Sequence, residues 1–131
     1  MSDLLDFEPE NLLERAILEA QENDGPIENL TALLVGSTIF SLSREEVQAD
    51  GSGFVPILME EEGIPLVVIF SSLSRARPHR VLAEYPLQMP GRSLFLRLPF
   101  GYGAVLNPGW EAQLVIPPEG VAAIKAQLAA G

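Results

Sequence analysis

Residues 75–80, Arg-Ala-Arg-Pro-His-Arg, gather basic side chains in a chain whose formal net charge is −10. Guanidinium groups grip carboxylates and phosphates through paired hydrogen bonds. Arg75, Arg77 and Arg80, with His79 among them, are therefore the candidate recognition residues. Two uses follow from that chemistry: docking a protein segment, or holding a small anion or metabolite. The blander alternative, and the commoner arrangement, is that these arginines solvate a loop or pair internally with the acidic N-terminal helical hairpin; exposed pairs contribute only ~0–1 kcal/mol. Trp110, directly after an Asn107-Pro108-Gly109 turn, is the other candidate. Exposed tryptophans are enriched at binding hot spots, and the competing reading is that the ring folds back to cover its own hairpin.

Other chemistry is sparse. His79 is the one histidine, so a multi-histidine metal centre is excluded, and a hydrolase would rest on this residue and a nearby serine. No G-x-S-x-G elbow and no phosphate-binding G-x-x-x-x-G-K-[ST] loop occurs. Glu60, Glu61 and Glu62 are clustered carboxylates of the type that calcium and magnesium prefer. Three consecutive residues at a turn point in different directions, which makes a solvated hairpin tip the simpler reading. Asp50-Gly51-Ser52-Gly53 starts like a calcium loop but lacks its closing glutamate, and reads as a turn. Asn107 suits a turn, since its side chain can bond to backbone two residues on; contact with a ligand is its other use. The residues imply no metal, no cofactor and no enzymatic activity.

At 131 residues the chain fits one domain, 1–131, with 47% hydrophobic and 20% charged residues, the balance of a folded globule. There is no cysteine, which removes disulfides and thiolate chemistry and fits a reducing cytoplasm. The start, MSDLLDFEPE, is acidic where a signal peptide would be basic. The longest apolar run, Ile64 to Phe70, is far short of the ~20 residues of a membrane helix. Residues 1–28 carry nine acidic side chains against Arg15 alone, while residues 75–97 carry five arginines against Glu84. An acidic chain repels nucleic acid and anionic lipid, so neither is expected as a partner. The oligomeric state stays open.

Periodicity lays out the elements. Pro9 opens a helix to about Asn23, with Leu12, Leu13, Ala16, Ile17 and Ala20 on its apolar face and Glu14 largely off it. A second helix runs from Pro26 to near Gly36. Thr38 to Leu42 reads as a strand. Phe54 to Met59 and Ile64 to Phe70 read as a hairpin, with LVVIF central and covered on both faces. Ser71 to Ala76 suits a serine-capped helix, and Val81 to Met89 an alternating strand. Arg92 to Leu98 fits helix or strand. A strand at Ala104 to Leu106, the turn, a strand at Gln113 to Ile116, and a Pro-Pro start at Pro117 lead into a helix over Val121 to Ala130.

The run YGAVLNPGWEAQLVIPPE, from Tyr102 to Glu119, with LVVIFSS at Leu66 to Ser72, resembles the SseB N-terminal domain family, also called enhanced serine sensitivity proteins. The likeness implies a bacterial cytoplasmic α+β domain: a mixed, largely antiparallel sheet of five or six strands, with an N-terminal helical pair and a C-terminal helix. It favours helix over Arg92 to Leu98. It implies a non-enzymatic protein-interaction domain with an unidentified protein partner, docked near Arg75, Arg77, Arg80 and Trp110. The alternative is a small-anion or metabolite-binding module using the same arginines. Two departures from the family pattern fall in these places: SSLSRARPHR stands where relatives carry an acidic stretch, and Trp110 where they carry a small or polar residue.

Overall fold

A computed structural model describes residues 11–23, 27–50 and 52–130. In chain order these form α1 (Leu12–Asn23), α2 (Ile27–Gly36), β1 (Thr38–Ser43), β2 (Leu58–Glu61), β3 (Ile64–Ile69) and α3 (Leu73–Ala76). A 3₁₀ turn (Arg77–His79) follows, then β4 (Tyr85–Pro90), α4 (Gly91–Arg97), β5 (Gly103–Leu106), β6 (Leu114–Ile116) and α5 (Pro118–Ala130). Asn11 caps α1, its Oδ1 accepting from the backbone N–H of Glu14 at 2.9 Å. The expected helix starts at Pro9 and Pro26 lie outside the described residues.

The fold is α+β, but the single sheet expected from the sequence is replaced by two. A four-stranded sheet runs β2-β3-β5-β6, and β1 pairs with β4 in a separate two-stranded sheet. Backbone pairing explains the division. The β1 backbone pairs toward the larger sheet through isolated bridges, Phe40 to Phe70 and Ser43 to Pro56, while its ladder partners lie over Tyr85–Pro90. Pairing is antiparallel except between β3 and β5, which run parallel from Leu66 opposite Gly103 to Ile69 opposite Leu106. Helices α3 and α4 lie on the connection between those two strands, in addition to the α1–α2 pair and α5.

β3 is covered on both faces, as its unbroken apolar run anticipated. Val67 and Ile69 join Leu13, Ile17, Leu34, Phe95 and Leu106 in the larger core, and Leu66, Val68 and Phe70 join Leu42, Ile57 and Val105 in the smaller. Alternation along the strand makes this division, since successive side chains point to opposite faces. Two expected strands contract. The Phe54–Met59 run keeps only Leu58 and Met59 in β2. That strand continues through Glu60 and Glu61, expected at the hairpin tip but paired with Pro65 and Ile64. The turn itself is Glu62–Gly63, both at positive φ. The alternating run from Val81 starts its strand at Tyr85. Residues 77–82 are drawn into successive turns, with Arg80 N–H bonded to Arg77 O at 3.2 Å and Leu82 N–H to His79 O at 2.9 Å.

Candidate functional site

The parallel strands β3 and β5 end side by side, and the residues following them meet. Ser71 follows β3 and Asn107 follows β5; the Asn107 N–H carries the ladder one step further, to Ile69 O at 2.9 Å. Asn107 is buried with φ of +55°, a left-handed conformation that asparagine tolerates better than most residues. Its side-chain oxygen accepts from Ser71 N–H at 3.0 Å. Its amide nitrogen donates to Ser71 Oγ at 2.8 Å and to Ala112 O at 3.1 Å. The amide thus staples two strand ends to the far side of its own turn. The expected structural role holds, but its backbone partner is Ala112, five residues on, where the sequence pointed to a bond two residues on, and Ser71 is added.

From Ser71 the network crosses to the N-terminal helix. The Ser71 hydroxyl donates to Glu14 Oε2, and Asn11 Nδ2 donates to Ser71 O at 3.0 Å. Glu14 is fully buried on α1. Arg75, on the short helix capped by Ser72, donates from Nε to Glu14 Oε2 at 3.0 Å and from Nη2 to Glu14 Oε1 at 2.8 Å. This is the forked carboxylate pairing that guanidinium geometry favours. The Arg75 guanidinium carbon lies 4.6 Å from the centroid of the Trp110 ring, and the indole N–H donates to Arg75 O at 3.0 Å. Trp110 is half-buried as the lid of this network.

The sequence-derived site therefore divides. Arg75 belongs to the interior and answers an acidic residue of the N-terminal helix. Arg77 and Arg80 are exposed, and Arg80 Nη2 reaches Glu84 O at 3.2 Å. His79 is half-buried, with Nε2 3.3 Å from Pro108 O and its ring 5.2 Å from that of Phe70. Its ring nitrogen thus faces a carbonyl, whereas a hydrolytic arrangement would set it against a serine hydroxyl. Beyond the arginines the loop presents Val81 and Leu82, 90% and 54% exposed.

Sequence reasoning missed Glu14. Counting from Leu12 made the apolar face include an exposed leucine and leave the glutamate off. The inward face is Leu13, Glu14 and Ile17, while Gln21, exposed further along, donates to Gln113 O at 2.8 Å. The available signal was helical spacing: Glu14 lies beside Leu13 and three residues before Ile17, on the face those two bury.

Elsewhere, the Asp50 carboxylate accepts from the Ser52 hydroxyl at 2.7 Å and the Ser52 N–H at 2.9 Å. These bonds, the hydroxyl's foremost, hold its pKa below the ordinary aspartate value. Among the described residues no group of three or more histidine, cysteine, aspartate or glutamate side chains is placed to hold a metal ion. No helix among them is long and apolar enough to cross a membrane.

The model of the SseB protein N-terminal domain matches residues 13–123. The chain belongs to that family. No curated protein and no solved structure matches it. Within this SseB domain the matched span includes Glu14, Ser71, Arg75, Asn107 and Trp110, so the whole network except Asn11 lies inside the family unit. It also includes the exposed loop that the network supports.

Proposed function

We propose that this SseB domain is a non-enzymatic cytoplasmic protein-interaction module whose docking surface is the loop from Arg77 to Leu82, bordered by Trp110. The observation that carries this reading is the pairing of exposed cations with exposed apolar side chains: Arg77 and Arg80 beside Val81 and Leu82. Leaving two aliphatic side chains in water on a structured turn gains nothing for the fold, while removing apolar area from water is favourable by roughly 25 cal/mol per Å², part of which a complex keeps after the cost of association. The chemistry selects a partner segment that carries carboxylates for the arginines and apolar side chains for Val81 and Leu82. Beneath the loop, the Glu14–Arg75 pair and the Trp110 indole fix α3, so the surface is held in place before any partner arrives, which lowers the ordering cost of binding.

The test is capture of a partner from bacterial cytoplasm by the full chain and by two variants. Arg77→Glu/Arg80→Glu and Val81→Ser/Leu82→Ser should each lose the same polypeptide that the parent captures, with melting temperatures unchanged. A partner retained by both variants would place docking elsewhere. The alternative use of the loop, gripping a small anion, would appear as thermal stabilisation by phosphate or a dicarboxylate that the arginine variant loses and the Val81/Leu82 variant keeps.

A further inference from the structure

At the end of β5 opposite Asn107, the loop after α4 and the helix α5 enclose an open groove of about 630 Å³. Pro99, Tyr102, Val121, Ala122 and Ala126 give it apolar walls, and Phe100 stands at its rim, 89% exposed. A concave apolar groove and a protruding aromatic ring thus occupy one patch. That is the requirement for an isologous contact, in which the same patch on two copies is both knob and hole.

The charges on this face complete the match. Across its thirteen residues α5 carries one acid, Glu119, and one base, Lys125. Both line the groove, and Ala122 lies midway between them. A two-fold axis over Ala122, with the two α5 helices antiparallel, sets Glu119 of each copy opposite Lys125 of the other. The small side chain at Ala122 lets the helices approach at the axis. Lys125 is already aimed along this surface, its Nζ donating to Leu98 O at 2.5 Å, which leaves two of the three ammonium donors for a carboxylate. Two copies of a chain with net charge −10 repel one another over most of their surface. A face with one charge of each sign avoids that repulsion.

We infer that this face is a self-association surface, pairing two copies of the chain through antiparallel α5 helices, with Phe100 of each seated in the groove of the other. The groove shares no lining residue with the loop at Arg77–Leu82.

Sedimentation velocity of the full chain across a dilution series tests this, with a thermal melt of every variant as the folding check. The parent should form a dimer that dissociates on dilution. Phe100→Asp should raise the dissociation constant about 30-fold or more, the effect of losing a hot-spot aromatic. Ala122→Arg, at an exposed position on the proposed axis, should do the same by steric exclusion. Glu119→Lys should weaken the dimer several-fold by setting lysine against lysine, and Glu119→Lys/Lys125→Glu should recover it. A parent that stays monomeric throughout would assign the groove to another occupant and overturn the inference. A dimer indifferent to Phe100→Asp and Ala122→Arg, or one that the double charge swap fails to restore, would overturn it equally.

Discussion

Glu14 and Arg75, 61 positions apart in the chain, form a buried ion pair with the Arg75 Nη2 to Glu14 Oε1 distance at 2.8 Å and side-chain exposures of 0% and 8%. The pair ties the first helix to the helix beneath the basic loop. Such a pair is costly to break from one side, because the remaining charge stays buried without its counterpart.

Arg75→Met should therefore cost about 3–5 kcal/mol in denaturant unfolding. Adding Glu14→Leu should return much of that loss, because no uncompensated charge is then left in the interior. Added salt should do little to the parent, since buried pairs are weakly screened. By contrast, Arg77→Glu and Arg80→Glu should each shift stability by less than about 0.5 kcal/mol, as surface changes do. A cost below 1 kcal/mol for Arg75→Met would refute the structural role assigned to the pair.

Asn107 should show a reversed alanine–glycine order. At φ of +55° glycine is relaxed and alanine is strained. Asn107→Gly should cost about 2 kcal/mol through buried groups left unbonded. Asn107→Ala should cost about 1 kcal/mol more, the added penalty of a left-handed residue bearing a Cβ. Equal losses would mean that backbone conformation is not a factor at this turn.

The β2–β3 hairpin has room for improvement at its tip. Glu62 and Gly63 both hold positive φ, 54° and 83°, the pattern of a two-residue turn that favours Asn-Gly. Glu62→Asn should raise stability by about 0.5–1 kcal/mol, read as a higher denaturant midpoint at unchanged slope. Glu61→Lys, one residue earlier on an exposed edge, should change it by less than about 0.5 kcal/mol.

Gly91 is intolerant for a different reason. A Cβ added there would lie 1.9 Å from the Leu34 carbonyl oxygen, which is backbone and cannot swing aside. Gly91→Ala should cost at least about 2 kcal/mol by forcing α2 away from the start of α4. A neutral Gly91→Ala would show that these helices do not pack at that distance.

Local chemistry settled much of this protein in advance. The covered strand at Leu66 to Phe70 was legible because continuous apolar runs suit burial on both faces. The cap at Ser72 and the turn after Leu106 followed from side chains that bond to nearby backbone or set φ. The family likeness rested on those same segments, and it chose helix where the periodicity of Arg92 to Leu98 was silent. Partnership between distant elements was beyond the sequence. Whether β1 joined the larger sheet depended on which ladder could satisfy its backbone groups, and Tyr85–Pro90 supplied it. Which of three similar arginines would turn inward depended on where α1 placed a carboxylate. Composition assigned a net charge to each stretch, and only the tertiary fold brought Glu14 to Arg75, because a charge leaves water only where a partner has been positioned to receive it.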